Sequence, residues 1–418
     1  MRFAIQIILA AMLWLWPAVA SAAGSVGAGS ADAPSDGAAA VADSLEVSLL
    51  TCSPGAAVYE LYGHTALRVR NLRSGDDAVF NYGIFDFSAP HFVWRFVLGQ
   101  TDYVLGATDY TLFAALYAAD GRGIEEQVLN LRPDEKQRLL ASLADTFGKV
   151  VREGWTYRYN FLYDNCTTRA IDEIARCVDG RIAWPEAGAG KTFRTVVHEF
   201  SAEASPWNRF GQDLLLGAET DAPAGTRQLM FSPVYAARFA DSARIVAPDG
   251  TVRPLVRQRQ VLVEASPRSA ARFPLSPMAA AGVLLLLAVA LSAGGTRWHK
   301  AARVFDALLL LVQGLAGCIV ALLFFCSEHP AVGSNWLVLL LNPLPLLYLP
   351  WKLWREGHDR RSWFAEAALL LLAVCGVAAV VSPQKFPPEI YLLAACLLVR
   401  ALGELRPGRR RSPESENQ

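Results

Sequence analysis

The chain has 418 residues, enough for two or three domains at about 150 residues each. Hydrophobic residues make up 53% and charged residues 19%, and mean hydropathy is +0.25, which excludes a disordered chain and argues against a wholly soluble one. Lys plus Arg equals Asp plus Glu at 39 each, so the basic excess of a nucleic-acid binder is missing, and seven cysteines are too few for a disulfide scaffold.

Residues 1–22 read as a secretory signal: Arg2, an apolar run from Ile5 to Trp16, and the small-residue cleavage pattern Ala20-Ser21-Ala22. An uncleaved anchor is the alternative. No cysteine follows the cleavage site, so the chain does not read as a lipoprotein itself. Residues 23–43 are nearly all Ala, Gly, Ser, Asp and Pro and form a tether. Residues 44–265 have the mixed composition of a globular domain. "HTALRVRNL" and "AVFNYGIF" read as strands joined by a turn at Ser74-Gly75-Asp76-Asp77. Residues 133–150 carry a helical period with Pro133 at the start, and residues 166–178 a second helix with Ile171, Ile174 and Val178 on one stripe.

Five apolar runs follow, at about 275–293, 304–326, 335–351, 363–382 and 389–403. A bilayer core of ~30 Å needs about 20 helical residues. The third run carries Asn342, Pro343 and Pro345 and is expected to kink; the fifth holds Arg400 near its end. These runs predict a five-helix transmembrane domain over 274–405 and a tail over 406–418. Arg297, Lys300 and Arg303, then Lys352, Arg355, Arg360 and Arg361, then Arg406, Arg409, Arg410 and Arg411 fall on one side, with only Lys385 on the other. That asymmetry predicts a cytoplasmic C-terminus and an outer domain on the far side of a bacterial inner membrane.

Cys318, Cys326, Cys375 and Cys396 fall in or beside the apolar runs, where small thiols pack. Cys166 and Cys177 are eleven residues apart on one helix, roughly 16 Å of rise, too far for a bridge. Cys52 either pairs with Cys177 or stays free. In "YNFLYDNCTTR", Asp164 and Asn165 are good N-cap residues, which places Cys166 in a first helical turn, where free N–H groups and the dipole stabilise a thiolate. An inert buried cysteine is the bland alternative. His64, His91 and His198 are the outer-domain imidazoles available as proton partner, and residue patterns alone do not choose among them. No metal-ligand spacing, G-x-S-x-G elbow or phosphate-binding glycine loop occurs in the outer domain, so no metal and no cofactor are expected. "FDFSAPHFVWRFVLG" either packs in the core, the plainer reading, or meets a membrane interface or acyl groove.

The segments "SLLTCSPGAAVYELYGHTALRV", "VFNYGIFDF", "WRFVLGQTDYVLG", "YNFLYDNCTTRAIDEI" and "LLLGAETDAPAG...MFSPVY" resemble the outer domain of Lnb-type lipoprotein N-acyltransferases, and the five runs resemble that family's membrane part. The resemblance covers about residues 44–403. It implies an α+β, permuted papain-like outer domain, as in lecithin–retinol acyltransferase, followed by an all-α membrane domain. In such folds a strand histidine precedes the helix cysteine, which selects His64 for Cys166. A third group orients the imidazole from the next strand. A hairpin centred near Gly75 and Asp76 puts positions 86 or 87 opposite His64, so Asp86 is expected there, with Asn81 second. The implied activity moves an acyl chain from a membrane phospholipid, through a thioester on Cys166, to the amine of a diacylglyceryl-cysteine lipoprotein. N–H groups of Cys166 and Thr167 are the expected oxyanion donors. Arg68 and Arg169 are candidates for the lipid phosphate, with structural salt bridges as the alternative. The expected partners are phospholipid, lipoprotein and bilayer, with no nucleic acid. A cysteine amidase or peptidase acting on cell-wall peptide and a non-enzymatic membrane receptor are the competing readings.

Overall fold

The computed structural model describes residues 44–405 apart from 56, 58–59, 187–189, 267–272 and 358–362. The expected signal, tether and C-terminal tail lie outside the described residues. Two compact units emerge. One comprises residues up to Phe200 together with Pro223–Ser269; the other comprises Ser201–Ala222 and residues from Ala270 onward. The boundary expected at residue 265 therefore misses one stretch, 201–222, which groups with the membrane helices.

The first unit is built on an antiparallel sheet. Its strands are β1 (Leu45–Cys52), β2 (His64–Asn71), β3 (Asp77–Ile84), β4 (Asp102–Asp109), β5 (Ile124–Leu129), β6 (Tyr157–Arg158) and, after two short strands β7 (Arg181–Ala183) and β8 (Arg244–Val246) and their partner β9 (Val252–Pro254), the edge strand β10 (Val256–Val263). The seven-stranded order is β10-β5-β1-β2-β3-β4-β6, and β7-β8-β9 form a separate small sheet. The helices are α1 (Phe92–Val97), α2 (Tyr110–Ala119), α3 (Pro133–Glu153), α4 (Cys166–Cys177), α5 (Phe193–Ala204) and, past the 201–222 stretch that holds α6 (Pro206–Leu215), α7 (Pro233–Ser242).

Both faces of the central strands are covered, which is why β1 is buried at every position but the half-buried Glu46, Ser48 included. Val47, Leu49, Leu67 and Phe80 pack with Leu139 and Leu143 of α3, Ile171 and Ile174 of α4, and Ala236 and Ala240 of α7. Leu50, Cys52, Ala66 and Val79 pack with Phe113 of α2. Cys177 belongs to the first cluster and Cys52 to the second, so the sheet separates them and both are free thiols. The aromatic stretch divides. Phe92 is buried, whereas Val93, Trp94 and Phe96 on the same short helix are exposed, so core packing holds for only part of it.

In the second unit the apolar runs become α8 (Pro277–Ala293), α9 (His299–Cys326), a 3-10 turn (Trp336–Leu339) leading to α10 (Leu344–Gly357), α11 (Phe364–Val381) and α12 (Pro388–Leu405). By length and composition His299–Cys326, Trp336–Arg355 and Phe364–Val381 can each cross a membrane, and α8 is a shorter apolar helix. The expected kink falls between the 3-10 turn and α10. There Asn342 donates to the Leu339 carbonyl at 2.9 Å and accepts from the Leu344 N–H, while Gln313 donates to the Leu340 carbonyl at 2.8 Å. Such side chains satisfy backbone groups that a broken helix would expose to hydrocarbon. Gly317 of α9 lies where any Cβ would overlap the Asn342 backbone, so a glycine is required for that close approach. Arg400 forks onto both Asp306 oxygens at 2.5 and 2.7 Å and donates to Ser292, tying α12 to α9 and α8. Lys352 sits buried within α10 and pairs with Glu404, so it is not the loop cation the sequence pattern placed it among. The amphipathic α6 sets Phe210 and Leu214 against Val320, Leu337 and Ile390.

Candidate active site

Two glycines shape the site. Gly63 has φ +82°, and a Cβ there would strike the Cys52 carbonyl; the chain turns sharply at this residue and enters β2 at His64. Gly83, at φ +89°, sits at a β-bulge in β3, and a Cβ on it would lie 3.6 Å from both Cys166 Cβ and the Tyr159 ring.

The cysteine is placed by its cap. Asn165 Oδ1 accepts the N–H groups of Thr167 and Thr168, each at 2.9 Å, and the Asn165 N–H donates to Thr168 Oγ1 at 2.8 Å. The Asn165 amide also donates to the carbonyls of Phe161 and Phe231, both at 2.8 Å, so the helix start is anchored from two loops. Cys166 is then the first residue of α4 and is 9% exposed.

Its sulfur meets three donors from β2 and α4: the His64 side chain, the Thr65 N–H, and the Thr167 hydroxyl at 3.8 Å. The Thr65 and Thr167 hydroxyls bond each other at 3.0 Å and tie strand to helix beside the sulfur. Burial pushes the thiol up, but the His64 charge and hydrogen bond, with the Thr65 and Thr167 donors, outweigh it and bring its pKa down to about 7. His64 responds in the opposite sense. Burial lowers it, yet the sulfur's charge and hydrogen bond and the contact with Asn81 leave it raised above its ordinary 6.5. Each group therefore stabilises the charged form of the other.

Asn81 holds the ring from behind, its Oδ1 3.1 Å from His64 Nε2. The Asn81 amide nitrogen donates to the Val79 carbonyl at 3.4 Å, which orients Oδ1 toward the ring. An amide oxygen only accepts, so Nε2 carries the hydrogen and Nδ1 is left for the sulfur.

Of the residues expected from sequence, His64 and Cys166 are brought together. Asp86 is not with them. It is exposed, accepts from the Ser88 N–H at 2.8 Å and hydroxyl at 2.6 Å, and is held below the usual carboxylate range by that hydroxyl. The cause is register. The hairpin closes where the Asn71 N–H meets the Asp76 carbonyl, and Leu67 pairs with Phe80. Continuing that register places Gly83 opposite His64 and Asn81 on the same face, two residues away. Thr167 is likewise not the oxyanion donor expected, because its N–H is taken by the cap; its hydroxyl instead serves the sulfur. The N–H of Cys166 lies outside the cap.

Neither arginine offers its charge to a lipid. Arg68 is buried between Asp77 and Glu126, at 2.5 and 2.9 Å, with the Tyr110 ring 3.6 Å away. Arg169 pairs with Asp164 at 2.6 Å and covers the Tyr157 ring at 3.6 Å. Both are structural ion pairs. His91 precedes α1 in a left-handed conformation, and His198 lies on α5. Cys52 pairs with His64 across β1 and β2, but burial drives its thiol up to about 12 and it bonds Tyr117. Asn81, the second candidate for the orienting residue, is the one that meets the ring; the contributions of Thr65 and Gly83 depend on strand register, and the only sequence signal for Thr65 was its adjacency to His64.

A helix-terminal thiol facing a strand imidazole in an α+β sheet domain, followed by a bundle of apolar helices, defines a membrane-associated protein with a cysteine-centred outer domain. Residues 37–198 match the Lnb N-terminal periplasmic domain and residues 268–407 match the Lnb transmembrane domain. The chain belongs to the Lnb family. That family points to a membrane-associated enzyme of lipoprotein maturation whose N-terminal domain is periplasmic. No curated protein and no solved structure matches the chain.

Proposed function

We propose that the protein transfers an acyl chain from a membrane phospholipid to the N-terminal amine of diacylglyceryl-cysteine lipoproteins by a two-step, ping-pong reaction on Cys166. The observation that carries this reading is the buried thiol brought to about 7 by His64. The thiolate attacks the phospholipid ester carbonyl and forms a carbon–sulfur bond. The carbon–oxygen bond breaks, and His64 gives its Nδ1 proton to the departing lysophospholipid oxygen. In the second step the lipoprotein amine attacks the thioester, its proton passes to His64, and the thiolate leaves as the amide forms. Asn81 keeps the imidazole turned toward the sulfur through both steps. The Cys166 N–H, outside the helix cap, is the donor available to the oxyanion. The loop charges Arg297, Lys300 and Arg303 support an orientation with the C-terminus in the cytoplasm, consistent with a periplasmic thiol that shares a side with both lipid substrates.

The test is intact-mass detection of a fatty-acyl adduct on Cys166 in the full chain, lost in Cys166→Ala. It is joined to the N-terminal mass of lipoproteins in a strain whose own N-acyltransferase is replaced by this gene. N-acylated lipoproteins are expected. Their persistence with Cys166→Ala, or cleavage of wall peptide without lipoprotein acylation, refutes the proposal.

A further inference from the structure

The outer unit carries a cluster of large apolar side chains on its surface. On α1, Val93 is 74% exposed, Trp94 55% and Phe96 46%, and Phe87 in the preceding turn is 40% exposed. Few charges lie nearby, and each has a partner. Arg95 pairs with Asp102 at 2.6 Å and also donates to the Gln100 carbonyl, and Asp86 folds back on Ser88. The segment is held in this posture. His91 precedes it at φ +56°, a conformation unfavourable for a residue with a Cβ, and Phe92 anchors the helix by stacking on Phe85 at 5.3 Å.

The cluster is continuous with the candidate site. Phe85 contacts Tyr103 at 5.1 Å, Tyr103 stacks on Tyr159 at 4.4 Å, and the Tyr159 ring flanks Gly83 beside Cys166. An apolar surface ligand at α1 is thus one line of rings away from the thiol. The chain itself indicates what that ligand is. It passes between the outer unit and the unit of apolar helices at residues 200–201, 222–223 and 269–270, so three chain crossings join the outer unit to the membrane helices. Exposed Trp and Phe with a β-branched neighbour and no net charge suit the boundary between lipid headgroups and acyl chains.

We propose that α1 and the Phe87 turn are a lipid-contacting surface, with Val93 and Trp94 entering the outer leaflet of the bilayer and presenting phospholipid acyl chains to the Cys166 site. The proposal rests on the acyl-transfer reading for its consequence, but not for its first test. That test uses the full chain in nanodiscs made with brominated or plain phosphatidylcholine. Emission quenched by bromine is expected to fall when Trp94 is replaced, Trp94→Phe, because Trp94 lies within reach of the acyl chains; equal quenching in both proteins overturns the surface. The second test uses Val93→Asp. Acylation of Cys166 by bilayer phospholipid is expected to drop about ten-fold, because a carboxylate resists entry into the leaflet, while acylation by water-soluble p-nitrophenyl butyrate is unchanged. Loss with both donors, or with neither, overturns it. If wild-type Cys166 accepts acyl from neither donor, the acyl-transfer reading is what fails, and bromine quenching alone decides the surface.

Discussion

Replacing His64 by alanine isolates what makes the Cys166 thiol reactive. Burial alone would carry it above its ordinary 9.0; with its neighbours present it sits at about 7. Two pKa steps correspond to about 2.7 kcal/mol of preference for the thiolate, beyond what offsets burial. The His64 charge and hydrogen bond are the two largest favourable contributions, ahead of the Thr65 N–H and the Thr167 hydroxyl. Without them the thiol should return to 9 or above. The thiolate fraction at neutral pH then falls from about one half to about one hundredth, and alkylation by iodoacetamide slows roughly fifty-fold. The assay follows iodoacetamide labelling of the Cys166 peptide by mass spectrometry in the full chain across the pH range. Cys52, buried and held at about 12, stays unlabelled and reports that the fold is intact. A midpoint that remains near 7 in His64→Ala, with an unchanged melting temperature, would refute the reasoning and move the source of reactivity to the helix terminus and the two threonines.

The remaining predictions concern neighbours of that pair. Acyl-enzyme formation should decline as pH falls through about 7, because protonation removes the thiolate, while the raised His64 keeps its proton for the leaving group above 6.5; a rate that rises toward acid contradicts this assignment. Asn81→Ala should slow acylation roughly ten- to hundred-fold with little change in thermal stability, and Asn81→Asp, which keeps the acceptor, should retain more activity; equal rates would show that the ring needs no orienting partner. Arg68→Ala leaves Glu126 and Asp77 without their cation and should destabilise the outer unit by about 3–5 kcal/mol in thermal unfolding; a stable variant with altered headgroup preference would restore the phosphate-binding role. Gly83→Ala forces a Cβ into a left-handed position against Cys166 and should cost about 1–3 kcal/mol in stability and most of the activity, which a melting curve and a Cys166 acylation assay measure together.

What could be read from the sequence was local. Asn165 as a cap puts Cys166 at a helix start by chemistry within four residues, and the structure has that arrangement. The apolar runs likewise carry their own length and hydropathy, so four of the helices of the membrane unit begin and end within about five residues of them, while the third run splits into a 3-10 turn and α10. What failed was non-local. Asp86 was set by a hairpin centre displaced by one and a half to two residues, which moves the partner facing His64 from position 83 to 86 or 87. Arg68 reads as an available cation only while its ladder neighbours are unknown; Glu126 lies 58 residues further on and reaches it across two strand pairings. The 201–222 stretch carries Glu203, Arg209, Asp213, Glu219 and Asp221 and lacks the hydropathy of a span. Its place with the membrane helices depends on bonds such as Gly217 N–H to the Ala331 carbonyl and Asn335 to the Leu214 carbonyl, which no composition profile contains.

Cys52 and Cys166 together show which groups lower the pKa of a buried thiol. Both thiols are buried, and both lie beside His64, one across the strand pair and one from the helix. Burial therefore does not distinguish them. Cys52 gains one hydrogen bond, from Tyr117, and rises to about 12; Cys166 gains an imidazole, a backbone N–H and a hydroxyl, and falls to about 7. The difference arises because His64-Thr65 and Cys166-Thr167 converge at the strand start and helix start, where the strand supplies two groups and Thr167 a third to one sulfur. In the proposed acyl transfer the same enclosure would also act on the acyl-enzyme. A thioester at a thiol 9% exposed would meet little water, which would favour an amine delivered along the membrane over bulk hydrolysis. A site that had lowered the thiol's pKa by exposing it to solvent would have gained the same nucleophile and lost that selectivity.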